Sequence, residues 1–144
     1  TVNILDSTSN YFNLTGVQLE VGDTATPFEH RPYAMELARC QRSYQKSYQV
    51  EVAPATSTQV GLRTFFLDGT VFRCHVMFLN RMRSIPTLTI YDEVGNSGNI
   101  RVNATNNVTF TGTRDTSESG FSCDQNISTS GQSARLHFTA DAEL

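Results

Sequence analysis

The most constraining feature of this chain is a strict alternation over residues 72–78. Phe72, Cys74, Val76 and Phe78 are apolar, while Arg73 and His75 between them are polar and Met77 completes the second set. A period of two places successive side chains on opposite faces of an extended strand, and a helix of period 3.6 cannot use it. The pattern recurs. Leu88 and Ile90 oppose Thr87, Thr89 and Tyr91, and Ile100 with Val102, Val108 with Phe110, and Phe121 with Cys123 give shorter versions. Leu136, Phe138 and Ala140 form the last one. Val60, Leu62 and Phe66 suggest another, and Asp68-Gly69 behind them is a hairpin signal. From Tyr44 to Val52 the same alternation favours a strand, although Tyr44 and Tyr48 also suit the i,i+4 spacing of a helix. Seven or eight strands after residue 43, about ten residues apart, predict an all-β fold: an antiparallel β-sandwich.

The N-terminal part reads differently. Phe12, Leu14, Val17, Leu19 and Val21 predict one strand ending at Gly22, and Pro27 and Pro32 make the following residues a connector. Met35, Leu37, Ala38 and Arg39 predict one short helix over residues 33–42. The expected division is therefore residues 1–32 as strand and connector, and 33–144 as the sandwich. A start at Thr1 suggests a processed product or the end of a longer protein.

Composition agrees. Thr, Ser, Asn and Gln make up 48 of 144 residues, only 17% are charged, and bulk comes from nine Phe and five Tyr without Trp. Thr and aromatic residues suit a pleated, half-buried surface, while Asn, Ser and Gly suit turns. A net charge of -3 argues against bulk attraction to nucleic acid. No apolar run reaches the length of a membrane span, so neither nucleic acid nor membrane insertion is expected.

A search for chemistry returns little. Cys40, Cys74 and Cys123 are odd in number and widely spaced, which suits three small buried side chains in a chain assembled in a reducing compartment, with a single disulfide and one spare thiol as the alternative. The N-x-[ST] triplets at Asn13, Asn103, Asn107 and Asn126 reflect the composition. His30, His75 and His137 form no metal or catalytic motif, and no nucleophile elbow or phosphate loop occurs. We therefore expect no catalytic residue, no metal and no cofactor. Asp92-Glu93 lacks the ligand series of a calcium loop. The loop around it can still bind: Tyr91, Asp92, Glu93, Asn96 and Asn99 combine a ring that stacks on sugars with carboxylates and amides that satisfy hydroxyls. Phe65 and Phe66, with Arg81 and Arg83 from the densest positive cluster, are the candidates for a subunit interface.

Four blocks then resemble tail-fibre proteins of tailed bacteriophages. They are LTGVQLEVG from Leu14 with ATPFEHRPY from Ala25, ELARCQR from Glu36, RMRSIPTLTIY from Arg81, and FTADAEL from Phe138. The aromatic pair usual after the second block is here Ser43-Tyr44. The resemblance implies that the first block closes an upstream jelly-roll domain and that the remainder is a jelly-roll-like knob, part of a homotrimer. It also implies a virion structural protein, in contact with other virion proteins, whose loops recognise a host-surface glycan or protein. A capsid decoration or head-fibre protein is the alternative. A polysaccharide depolymerase would need opposed carboxylates in a groove, and adjacent Asp92 and Glu93 do not supply them.

Overall fold

The computed structural model describes residues 13–24, 26–67, 69–103, 106–127 and 133–143. One helix, α1 (Tyr33–Gln41), precedes nine strands among these residues. They are β1 (Tyr44–Lys46), β2 (Arg63–Phe66), β3 (Val71–Met77), β4 (Thr87–Tyr91), β5 (Asn99–Val102), β6 (Asn106–Thr109), β7 (Thr113–Ser117), β8 (Gly120–Asn126) and β9 (Ser133–Asp141). Every pairing is antiparallel.

The long strand β9 organises the larger sheet. Its first half pairs with β2 on one side (Thr64 opposite Arg135) and with β5 on the other (Arg101 opposite Arg135). Its second half pairs with β1 (Gln45 opposite Ala140) and with β4 (Ile90 opposite Phe138). Strand β6 extends the sheet beyond β5. The smaller sheet has the order β3-β8-β7, with β3 and β8 paired over their full length.

The two sheets close on each other through the apolar faces that the alternation marks. Phe72, Cys74 and Val76 of β3 and Phe121 and Cys123 of β8 meet Ala134, Leu136, Phe138 and Ala140 of β9, together with Ile90, Ile100 and Val102. The Phe121 and Phe138 rings cross edge to face with centroids 5.1 Å apart, and Phe72 contacts both Phe65 and Phe110 in the same way. Such aromatic pairs add about 0.5–1.5 kcal/mol each beyond area burial. The all-β antiparallel sandwich with one short helix is thus the observed architecture.

Several local expectations change. Residues 13–24 carry no strand, and Leu14, Val17, Leu19 and Val21 are exposed; Phe12 lies outside the described residues. A turn there is held instead by the Glu20 carboxylate, which accepts from the Gln18 amide and the Thr26 hydroxyl. The alternation after Tyr44 yields only three strand residues before the chain leaves the sheet. Asp68-Gly69 does not make a hairpin, because β2 joins β9 while β3 joins β8, so the connection crosses between sheets; Asp68 itself lies outside the described residues. Polar β7 has no apolar alternation and is defined by its pairing with β8. The chain divides into two units, Thr1–Tyr33 and Ala34–Leu144.

Candidate functional site

The outer face of the larger sheet is where the loops gather. At the level of His137 both neighbours of β9 leave the sheet, as the loop of residues 47–62 on one side and that of residues 92–98 on the other. The loops meet across β9. The Thr58 N–H donates to the Glu93 carbonyl at 3.1 Å, and Gly95 sits so close to Ala55 that a Cβ would collide with its carbonyl oxygen. Gly95 adopts φ 97°, which only glycine takes without strain.

Beneath them His137 is fully buried. Its Nε2 lies 3.0 Å from the Thr58 carbonyl oxygen, an acceptor, so Nε2 carries the proton and Nδ1 accepts from the Ser47 hydroxyl at 2.8 Å. Ser47 Oγ in turn accepts from the Phe138 N–H. Burial pulls the His137 imidazole below its ordinary range.

The candidate receptor loop is turned largely inward. Asp92 is fully buried, and its carboxylate accepts from the N–H groups of Val94 and Asn96 and from Asn96 Nδ2 at 2.7–3.0 Å. This is the local turn chemistry of an Asx residue, and it commits both oxygens. Glu93 is buried as well and lies between two arginines. Its Oε2 is 3.3 Å from Arg135 Nη1, and its Oε1 is 3.3 Å from Arg101 Nε, without hydrogen-bond geometry in the second case. Tyr91 is half-buried, edge-on to Tyr48. Asn96 is exposed and Asn99 half-buried, so of the five it is the two amides and the Tyr91 ring that reach solvent.

The four candidate interface residues also separate. Phe65 packs against the core through Phe72, whereas Phe66, on the opposite face of β2, is 85% exposed. Arg81 and Arg83 are exposed and flank buried Met82 outside any strand. Arg81 Nε pairs with Glu118 at 2.6 Å, and the Arg83 N–H donates to the Arg42 carbonyl.

Two features escaped the sequence reading. Arg101 and Arg135 are 34 positions apart but directly opposite across β5 and β9, on the outer face with Thr64 and Asn107. Their polar alternation between core residues was the available signal. Second, β1 has no strand on its far side among the described residues, and an apolar groove of about 770 Å³ runs there. Leu37, Cys40, Tyr44, Val50 and Leu79 line it, with Val50 and Leu79 exposed.

Among the described residues no three His, Cys, Asp or Glu side chains are grouped to hold a metal, and no helix is long and apolar enough to cross a membrane. No family model matches this chain, and no curated protein or solved structure was found to match it.

Proposed function

We propose that this chain is a non-enzymatic virion protein of a tailed bacteriophage, the C-terminal module of a tail fibre that attaches to a host-surface glycan or protein. The observation that carries the reading is the uncovered outer sheet face, where Phe66, Arg101, Arg135 and Asn107 stand on four adjacent strands of a sandwich. Rigid scaffolds that display such groups bind without needing a catalytic step. The four sequence blocks that resemble tail fibres support the same reading. The groove beside β1 supports association of copies, since Val50 and Leu79 leave apolar surface bare in a single chain. In a homotrimer three weak sites reinforce one another by effective concentration.

Immunogold electron microscopy of the encoding phage tests this, with antibody raised against the chain. Label at the tail tip or fibres is expected. Label spread over the capsid replaces the reading with a decoration or head-fibre protein, and unlabelled particles reject the virion assignment. Native mass spectrometry of the purified chain tests the trimer, and a monomer at micromolar concentration rejects it.

A further inference from the structure

We propose that the outer face of β2, β9, β5 and β6 binds an anionic sugar, with Arg135 and Arg101 taking its carboxylate or phosphate and the Phe66 ring its apolar face. The inference rests on the adhesion reading and specifies its ligand class.

Charge balance is the first argument. Like charges directly opposite on neighbouring strands destabilise a sheet, yet Arg101 and Arg135 occupy that position. A single carboxylate, Glu93, bridges them, and each guanidinium gains one contact from it. Two guanidiniums offer ten N–H donors. Among the described residues the side-chain acceptors on them are Glu93 and the Asn107 Oδ1, 2.7 Å from Arg101 Nη1. The Nε groups of both arginines are buried without a hydrogen-bond partner. The cluster therefore keeps a surplus positive charge, and because the buried Nε groups are out of a ligand's reach, the Nη groups, in a planar geometry that matches a carboxylate or phosphate, are the donors left for one.

Accessibility is the second. The Arg101 and Arg135 side chains are 19% and 29% exposed, against 8% for Glu93. The carboxylate is thus the most buried of the three groups, and part of each arginine side chain meets solvent. A charge so placed is screened less than one on a mobile surface side chain.

Shape and polarity supply the third. Thr64, Arg135, Arg101 and Asn107 stand in one cross-strand row, and Phe66 is two residues along β2 on the same face. At about 4.8 Å per strand the row spans roughly 14 Å, enough for one or two sugar rings. The hydroxyl and amide at its ends suit sugar hydroxyls, and the exposed ring offers a stacking surface.

The test is isothermal titration calorimetry of the full chain with trigalacturonate, glucose 6-phosphate and maltotriose, at low and high salt. Binding of an acidic probe that weakens with salt, and no binding of maltotriose, is expected. Trigalacturonate alone assigns the anion to a carboxylate, glucose 6-phosphate alone to a phosphate, and both together to either source. Arg135→Gln should weaken binding at least about tenfold, the loss of a charge-assisted contact. Phe66→Ala should weaken it several-fold with an unchanged melting temperature, because the ring is 85% exposed; this variant keeps the test decisive if Arg135→Gln does not fold. No binding of either acidic probe, equal binding of maltotriose, or folded variants that bind like the wild type would overturn the proposal. Tail label in the microscopy with no acidic-probe binding sinks this inference and leaves adhesion standing. Acidic-probe binding without label supports the site while rejecting the virion role.

Discussion

The His137 imidazole lies face to face with the Tyr48 ring, with centroids 4.0 Å apart and planes 15° from parallel. The stack joins the loop of residues 47–62 to the central strand, and the Ser47 and Thr58 bonds fix the imidazole from two sides. A protonated His137 would have to reverse the Ser47 bond, with Nδ1–H donating to a hydroxyl that already accepts from the Phe138 N–H. Arg63 nearby opposes its charge as well, while Thr58 and Glu93 favour it less than burial disfavours it.

This arrangement predicts a pH-dependent stability. The folded His137 titrates below its ordinary value of 6.5, so the unfolded chain takes the proton first. The neutral imidazole's contribution is fully present above about pH 6.5 and is lost as the pH falls below it, with a slope of at most about 1.4 kcal/mol per pH unit. Thermal melts between pH 7.5 and 5 should show it, and His137→Gln should be less stable at pH 7.5 but flatter over that interval. An equal slope in both proteins rules out His137 as its source.

Asp92 should act through loop stability. Asp92→Ala removes three accepted bonds from a buried position, at a cost of about 1–3 kcal/mol. Asp92→Asn leaves one oxygen to accept and should fall between Ala and the wild type. Urea midpoints measure the order, and three equal midpoints would contradict it.

Glycine substitutions separate backbone strain from collision. Gly69 has φ 65° with open space around its Cβ position, and Gly95 has φ 97° with the Ala55 carbonyl in the way. Gly69→Ala should cost about 1–2 kcal/mol, the left-handed penalty alone. Gly95→Ala should cost more and loosen the contact between the two loops. Comparable losses in denaturant titration would show that the loops move apart freely.

Thiol reactivity should divide one against two. Cys40 is exposed, whereas Cys74 and Cys123 are buried and paired across β3 and β8. The hydrogen bond with Cys123, and then burial, push the Cys74 thiol far up, leaving little thiolate to react. A thiol-disulfide reagent should titrate one group in the native chain and three in denaturant. Three rapid groups in the native chain would mean that the β3–β8 pair opens readily.

The sandwich was legible because the alternation is local. Phe72, Cys74 and Val76, and likewise Leu136, Phe138 and Ala140, announce an inward face wherever the strand pairs. The helix over residues 33–42 was legible from propensity and is observed as Tyr33–Gln41. The candidate site was only partly so. Tyr91, Asp92 and Glu93 read as loop chemistry, and their residue types cannot show which way the loop folds.

The sequence by itself determined which faces are apolar, since a strand's period of two repeats within a few residues. The tertiary structure decided which strands meet, because pairing depends on contacts between distant segments. It sent β2 to β9 rather than to β3, buried Asp92 within its own turn and Glu93 between two arginines, and set Arg101 against Arg135 across 34 positions. Each outcome follows from strand register and from where the loop of residues 47–62 covers β9 at His137, quantities no local window contains.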